Sequence, residues 1–379
     1  MPHQKALLAG IADKNPTLFR RLGVALGDPA AWVGGEDAST AIVRDLEMDR
    51  VRQFTSADHV GCPADYAPQG GLDADRETAT AQAVAEYCVR EGIASLKVDR
   101  TLPFIYAWHL TERGIELRYD ANFGVVDRRQ KSEKEIELLS QAQSVTEEVM
   151  RLICERIASC DVSDTGELIH GGDVLTSEAV QSLAATEFLS RDFSMSHGAI
   201  VATAPQVADC HHRGTGPLRS GVPVIVDLFP MNQQTRYWGD CTRTVVHGKA
   251  SATVQAMHAA VVAAKAASES KLVPGNSAES VHVAGEEVLK AAGFKVSRGT
   301  ITDEPSIQHG TGHGIGLEVH EPILLDHGGG EMLDCEVFTV EPGLYGREDG
   351  GIRVEDMLVA RPDGPQNLNR LPDGLDWLP

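Results

Sequence analysis

The side chains most suited to metal chemistry lie in about the last 170 residues of the chain. Asp227 interrupts the apolar run Val224–Phe229, and a carboxylate there is costly to bury unless it is paired or bound to a metal. Asp240 follows 13 residues later, again before an apolar run. That spacing suits a hairpin with a long loop, which would bring the two aspartates together. Taken singly, Asp240 could cap a turn, and Asp227 could pair with Arg236 or Arg243.

Three further residues make a metal centre the stronger interpretation. His313 is flanked by glycines, Glu341 follows the apolar run Val337–Val340, and Glu355 lies in a run that we expect to be a strand. Four carboxylates and one imidazole suit a pair of divalent cations. Such a pair can share two of the carboxylates and convert a shared water into a hydroxide nucleophile at neutral pH.

The first third of the chain has a different pattern. We predict a strand over Ala41–Leu46, a helix over Arg76–Arg90 and a strand over Ile93–Val98, which together indicate an α/β unit. No cluster of catalytic side chains stands out there. A basic stretch then leads to Ser132–Glu135, which has the form of a helix capping box. The predicted domains are therefore residues 1–128 and residues 129–379.

The second domain is predicted to be α+β. Strands are expected at Ala199–Thr203, Val222–Leu228 and Thr242–His247, and helices at Thr253–Leu272 and Ala278–Ala292. Strands that are grouped, rather than strictly alternating with helices, indicate antiparallel pairing.

Composition limits the partners and the compartment. The net charge is −21, so nucleic acid and anionic membranes are unfavourable partners. No apolar run reaches the roughly 18 residues that a membrane span needs. The seven cysteines are scattered and include no CxxC pair, which predicts neither a disulfide framework nor a structural zinc site. We therefore expect a cytoplasmic protein.

Five ordered strings carry a family resemblance: VDLFP, GDCTRT, HGTGHGIGLEVHE, TVEPGLY and GIRVEDM. Together they resemble the signature of the pita-bread metallopeptidases, which include methionine aminopeptidase, Xaa-Pro aminopeptidase, prolidase and the metal-free creatinases. The resemblance implies a pita-bread catalytic domain after a smaller creatinase-like α/β domain. The first string departs from the common Asp-x-Gly, because Phe229 stands where the glycine is usual. The hairpin loop that follows is also longer than usual.

The resemblance also implies metal ligands. Asp227 would bind one ion, His313 and Glu341 the other, and Asp240 and Glu355 would bridge them. The two divalent ions would be Mn²⁺ by preference, with Co²⁺ and Zn²⁺ also suited to such donors.

Further residues are assigned by their position in the motifs. His211 or His212, with spacing slightly in favour of His211, matches a histidine that contacts substrate, and His320 matches one that steadies the tetrahedral intermediate. His309 would line the pocket or support it through a hydrogen bond. Arg353 resembles the proline-specific branch and could keep the bridging carboxylates ionised and oriented. His197, His247, His258, His282 and His327 have no supporting pattern and are interpreted as structural or exposed.

These assignments predict a peptidase that cleaves Xaa-Pro bonds in peptides or dipeptides, with Glu341 passing a proton to the leaving nitrogen. A homodimer is also expected. The alternatives are a metal-free creatinase-like enzyme and a catalytically silent peptide-binding module; retention of all five ligand types argues against both. The choice between aminopeptidase and dipeptidase stays open.

Overall fold

The computed structural model describes residues 4–378. The chain folds as two compact units, residues 1–128 and 129–379. Among the described residues, no helix is both long and apolar enough to cross a membrane.

The N-terminal unit is built on a six-stranded mixed sheet with the order β4-β3-β2-β1-β5-β6. The strands are β1 Ala6–Ile11, β2 Pro29–Gly34, β3 Ser39–Ile42, β4 His59–Gly61, β5 Ser95–Val98 and β6 Glu116–Tyr119. The helices are α1 Pro16–Leu22, α2 Met48–Phe54, α3 Arg76–Arg90, α4 Phe104–Glu112 and, at the boundary, α5 Val126–Arg129. Helix α3 has the predicted bounds, because Asp75 caps its first turn and Ala81, Val84 and Cys88 form its buried face.

One predicted strand of this unit is wrong in its second half. The strand expected over Ala41–Leu46 ends at Ile42, and Asp45–Glu47 form a short 3₁₀ helix. The side chain of Asp45 accepts a hydrogen bond from the amide of Leu46 at 2.9 Å. An aspartate that binds its own backbone favours a turn over a strand, and Leu46 is left 77% exposed.

The C-terminal unit combines four helices with several small sheets. The helices are α6 Glu133–Ala158, α7 Ser177–Leu189, α8 Ala252–Glu269 and α9 Ala278–Ala291. The strands are β7 Asp161–Val162, β8 Leu168–His170, β9 Asp173–Val174, β10 Phe193–Ser194, β11 Ala199–Thr203, β12 Pro223–Leu228, β13 Met231–Asn232, β14 Cys241–Val246, β15 Lys295–Val296, β16 Ser306–Ile307, β17 Gly312–Gly314, β18 Glu321–Leu325, β19 Val337–Val340, β20 Gly343–Gly346, β21 Gly350–Arg353, β22 Asp356–Val359 and β23 Gln366–Asn367.

Three of these sheets carry the motifs that the sequence singled out. Their strand orders are β11-β12-β14, β15-β16-β20-β21 and β18-β17-β19-β22-β23. Except for the parallel pair β15–β16, neighbouring strands in these sheets are antiparallel. The predicted α+β architecture is therefore confirmed.

Helix α6 supports the first of these sheets. It begins at the predicted capping box, in which Ser132 and Glu135 bond each other's backbone amides. Its inner face, including Val149 and Ile153, packs with Val226 of β12 and Val245 of β14 in one buried cluster. The helix is thus a fixed platform beneath the strands that carry the two candidate aspartates.

Candidate functional site

The two candidate aspartates face each other across an antiparallel pair of strands. Asp227 on β12 is opposite Thr242 on β14, and Leu228 is opposite Cys241. Asp240 lies two residues before Thr242, and residues two apart in an extended segment point to the same side. The expected hairpin is therefore formed. Among the described residues, neither Arg236 nor Arg243 forms an ion pair with Asp227, which pairs with Arg353 instead.

The backbone of Asp240 is held by helix α6. The side-chain amide of Gln143 donates to the Asp240 carbonyl at 2.6 Å and accepts from the Asp240 amide at 2.8 Å. The preceding residue must be glycine, because a Cβ at Gly239 would lie 2.1 Å from Thr146 Oγ1 and 2.8 Å from the Ala142 carbonyl oxygen. The loop can therefore lie directly against the helix and hold Asp240 in a defined place.

His313 and Glu341 come from neighbouring strands of the five-stranded sheet. His313 lies in β17, which pairs with β19, and Glu341 directly follows β19. The Glu341 amide donates to the Thr311 carbonyl at 2.7 Å. A Cβ at Gly312 would lie 2.0 Å from the Thr339 carbonyl oxygen, so only glycine lets the two strands approach this closely.

The sequence predicted Glu355 inside a strand, but the residue lies in a break between two strands. Strand β21 ends at Arg353 and β22 begins at Asp356. The Glu355 amide donates to the carbonyl of Thr242 at 3.1 Å, and Thr242 Oγ1 donates to Glu355 Oε2 at 2.7 Å. The break turns Glu355 toward the β12–β14 hairpin, where Asp240 also lies.

These side chains form a compact donor set. Asp240, His313 and Glu355 each offer one ligand atom, and the three atoms lie within 4.8 Å of one another. His313 Nε2 is 3.7 Å from Asp240 Oδ2 and 3.7 Å from Glu341 Oε1. His313 Nδ1 donates to the Gly314 carbonyl at 3.1 Å, so the Nε2 lone pair faces the carboxylates.

Burial sets the protonation of this group. It raises the pKa of Asp240 and Glu355 well above the ordinary range, with the nearby carboxylates adding to the effect. Burial also raises the pKa of Glu341 to about 7 and lowers that of His313 to about 3. Neutral imidazole is the form that binds metals, and crowded carboxylates need cations in order to ionise.

Asp227 shows that these residues fit a metal. Its Oδ2 accepts from Arg353 Nη2 at 2.7 Å, but its Oδ1 is buried and has no hydrogen-bond partner among the described residues. A buried carboxylate oxygen without a donor is unfavourable unless a cation satisfies it. Together with the donor set above, this oxygen makes the site chemically suited to divalent ions.

Arg353 contacts a different carboxylate from the ones expected. It binds Asp227, and its Nε lies 3.9 Å from Glu341 Oε2. Its link to the bridging candidates is indirect, because Arg353 Nε donates to Thr242 Oγ1 at 3.2 Å, and that hydroxyl donates to Glu355.

His309 is held in the cavity wall through both ring nitrogens. Its Nδ1 donates to the Gly310 carbonyl at 2.6 Å, and its Nε2 accepts from the Tyr345 hydroxyl at 2.6 Å. The same hydroxyl accepts from Arg353 Nη1 at 3.0 Å. Burial lowers the pKa of His309 to about 3, so this histidine is neutral and suited to fixing neighbours rather than to moving protons.

The candidate histidines His211 and His320 differ from His212 in their position. His211 and His320 line the cavity, whereas His212 does not, and His212 Nδ1 accepts from the Gly214 amide at 2.9 Å. The His320 ring packs edge-on against His313, with 4.3 Å between the centroids. Burial lowers the pKa of His320, so its ring is neutral near pH 7.

One cavity of about 670 Å³ is lined by the five candidate ligands and by His211, His309, His320 and Arg353. The same walls contain residues to which the sequence gave no functional role: His197, Arg213, Phe229, Arg298 and Asp326. His197 stacks on Trp238, with a centroid distance of 5.2 Å and 9° between the ring planes.

A second group of potential ligands lies nearby, formed by His282, Glu286 and His327. His282 Nε2 accepts from Arg298 Nη2 at 2.9 Å, and the same guanidinium donates to Asp326. Lys290 pairs with Glu286. Cationic side chains thus already engage His282 and Glu286, and His327 faces the carboxylates of Glu279 and Glu286, so the group has partners without an ion.

Comparison with known proteins identifies the family. The profile of metallopeptidase family M24 matches residues 137–362, more than half of the chain. The chain belongs to this family. A probable dipeptidase, PepE, from Mycobacterium tuberculosis is 32% identical over 182 residues, which cover 48% of this chain and 46% of the relative. An Xaa-Pro dipeptidase from Pyrococcus horikoshii is 24% identical over 291 residues, 75% of each chain. The first match thus spans less than half of the relative's length.

Solved structures share the M24 fold along nearly the whole chain. An Xaa-Pro dipeptidase from Bacillus anthracis superposes with a TM-score of 0.80 at 19% identity, covering 98% of this chain and 94% of the other. The prolidase from Pyrococcus horikoshii gives a TM-score of 0.78 at 21% identity, covering 98% and 95%. The predicted pita-bread fold is confirmed.

Proposed function

We propose that this chain is a dinuclear metal-dependent peptidase that hydrolyses the bond between an N-terminal residue and proline, in peptides or dipeptides. The observation that carries the proposal is the donor group Asp240, His313 and Glu355, which lies with Asp227 and Glu341 in one cavity. Retention of all five donors argues against a metal-free enzyme or a silent binding module.

The metal assignment within this proposal is the one that the family resemblance implies. Asp227 would hold one ion, His313 and Glu341 the other, with Asp240 and Glu355 shared. Two divalent cations, Mn²⁺ by preference, would polarise the substrate carbonyl and supply a water nucleophile at neutral pH. Carboxylate oxygens with one imidazole suit Mn²⁺ and also accept Co²⁺ or Zn²⁺.

The chain's own side chains would handle protons and charge. Glu341, with a pKa of about 7 in the protein without cations, is suited to accept a proton and pass it to the leaving nitrogen. His211 and His320, both exposed residues of the cavity lining, can donate hydrogen bonds to charge that develops on the substrate carbonyl oxygen.

The preference for proline rests on the apolar part of the cavity wall and on the resemblance of Arg353 to the proline-specific branch of the family. Ile200, Phe229 and Leu324 provide apolar surface against which a pyrrolidine ring can pack. An Xaa-Pro bond is a tertiary amide without an N–H, so no acceptor is needed there. An Xaa-Ala bond would leave its amide unpaired, at a cost of about 1–3 kcal/mol.

Peptide hydrolysis rates test the proposal. With added Mn²⁺ or Co²⁺, kcat/KM for Ala-Pro-Ala should exceed that for Ala-Ala-Ala by roughly 5- to 150-fold, the equivalent of the amide penalty. Ala-Pro, measured in parallel, distinguishes a dipeptidase from an aminopeptidase. Equal rates for the two tripeptides would reject the proline preference. No hydrolysis of any peptide by metal-loaded protein would reject the peptidase.

Assembly and compartment are part of the same proposal. We infer a homodimer, which sedimentation of purified protein would test. All seven cysteines lie among the described residues and carry free thiols, which supports a reducing, cytoplasmic environment.

A further inference from the structure

Three arginines line the cavity, and two of them are paired with carboxylates. Arg353 binds Asp227 at 2.7 Å, and Arg298 binds Asp326 at 2.9 Å. Arg213 has no acidic partner within residues 4–378; its Nη2 donates to the carbonyl oxygen of His197 at 2.5 Å. A guanidinium has five N–H donors, so most of the hydrogen-bonding capacity of Arg213 remains available.

The backbone holds Arg213 in place. Its carbonyl accepts from the Val201 amide at 2.9 Å and from Gln181 Nε2 at 2.7 Å. The next residue, Gly214, has φ +86°, and a Cβ there would lie 1.8 Å from the Val201 carbonyl oxygen. The guanidinium itself lies close to Gly198, where an added Cβ would be 3.1 Å from Arg213 Nη1. The backbone of Arg213 is therefore fixed, and its exposed side chain lies along the cavity wall with one hydrogen bond that orients it.

The acids of the cavity are already engaged elsewhere. Asp227 and Asp326 have arginine partners, and Asp240, Glu341 and Glu355 belong to the candidate metal centre. None of these carboxylates contacts Arg213 in the described chain. A guanidinium with unused donors on a cavity wall matches a planar anion that arrives with the ligand, because its fork pairs bidentately with a carboxylate.

We propose that Arg213 binds a carboxylate group of the substrate and so determines which peptides the site prefers. The inference rests on the proposed peptidase function and extends it. The carboxylate has two possible sources: the C-terminus of a dipeptide, or an acidic side chain after the proline. Every dipeptide carries the first, and binding it would make the enzyme favour dipeptides over longer peptides.

Two pairs of substrates separate these sources in the Mn²⁺-loaded enzyme. The first pair is Ala-Pro and its C-terminal amide; the second is Ala-Pro-Glu-amide and Ala-Pro-Gln-amide. In Arg213→Gln, kcat/KM for whichever acidic member uses Arg213 should fall by about 10- to 100-fold, the range for a hydrogen bond to a charged group. The matched neutral member should fall by less than about threefold. Arg213→Lys, which keeps the charge but loses the fork, should give an intermediate loss.

Arg151→Gln is the matched control, because Arg151 is an exposed arginine on helix α6 that does not line the cavity. It should leave all four kcat/KM values unchanged, and circular dichroism checks that each variant is folded. Equal effects of Arg213→Gln on the acidic and neutral members of both pairs would overturn the role of Arg213. If the wild type cleaves none of the four peptides, the peptidase function itself is rejected.

Discussion

Replacing Arg353 should destabilise the protein far more than replacing a surface arginine on the same hairpin. Arg353 is 3% exposed, binds Asp227 Oδ2 at 2.7 Å and donates to the Tyr345 hydroxyl at 3.0 Å. In metal-free protein, Arg353→Met leaves Asp227 as a buried carboxylate without a cation. Removing one partner of a buried pair costs about 3–5 kcal/mol, so we expect the free energy of unfolding to fall by about that amount.

Arg347→Met is the matched control, because Arg347 lies in the loop between β20 and β21. It pairs with Asp303 at 3.0 Å, but the two side chains are 49% and 67% exposed. Exposed pairs contribute about 0–1 kcal/mol. Urea unfolding in the presence of a chelator, followed by circular dichroism, measures both losses. A cost for Arg353→Met no larger than that for Arg347→Met would refute the electrostatic role of Arg353.

A double mutant identifies the partner that matters. Asp227→Asn removes the charge that Arg353 neutralises, so Arg353→Met should cost less in that background than in the wild type. Contacting residues couple by about 0.5–3 kcal/mol, and we expect a value in the upper half of that range. Additive losses would mean that Arg353 acts through its other hydrogen bonds, for example to Tyr345.

Three further predictions concern the candidate site. Asp240→Ala should lower the metal content below two ions per chain and abolish turnover, and elemental analysis that still finds two would contradict the bridging assignment. His211→Ala and His320→Ala should keep the metal but lower kcat by about 10²–10³-fold. The loss of kcat in His212→Ala should be milder. If His212→Ala loses kcat severely and His211→Ala does not, the catalytic role belongs to His212. In metal-free protein the raised pKa of Glu341 means that ionising it opposes folding, so stability is lost as pH rises. Glutamine does not ionise, so the unfolding free energy of Glu341→Gln minus that of wild type should rise by about 3 kcal/mol between about pH 4.5 and about pH 8. A difference that does not change with pH would exclude that ionisation.

Two of the candidate ligands, Asp227 and His313, could be recognised from sequence because their surroundings are unusual for a strand. Asp227 is an acid in an apolar strand, and the glycines on both sides of His313 mark a place where backbones approach closely. The structure gives that closeness a cause at Gly312, whose missing Cβ makes room for the Thr339 carbonyl. Residues that contradict their surroundings are the ones whose function a sequence reveals.

Arg213 and His197 carried no such signal. Both lie in loops, and an arginine or histidine in a loop is usually solvated. Their place in the cavity depends on pairing between distant segments, since the Val201 amide bonds the Arg213 carbonyl and the Arg213 guanidinium reaches the His197 carbonyl. The one local hint was Gly214, whose backbone conformation, with φ +86°, strongly favours glycine.

The charges of the cavity suggest an order of events for the anionic peptide that we propose Arg213 binds. Arg353 neutralises Asp227, while the high pKa values of Asp240, Glu341 and Glu355 show that these carboxylates need further positive charge in order to ionise. Divalent ions would supply that charge, and a neutralised centre would no longer repel the carboxylate of a substrate. Binding of metal should therefore precede tight binding of an acidic peptide. Calorimetry in chelator should detect little binding of Ala-Pro, whereas a dissociation constant as low as the KM for Ala-Pro in Mn²⁺ would contradict this order.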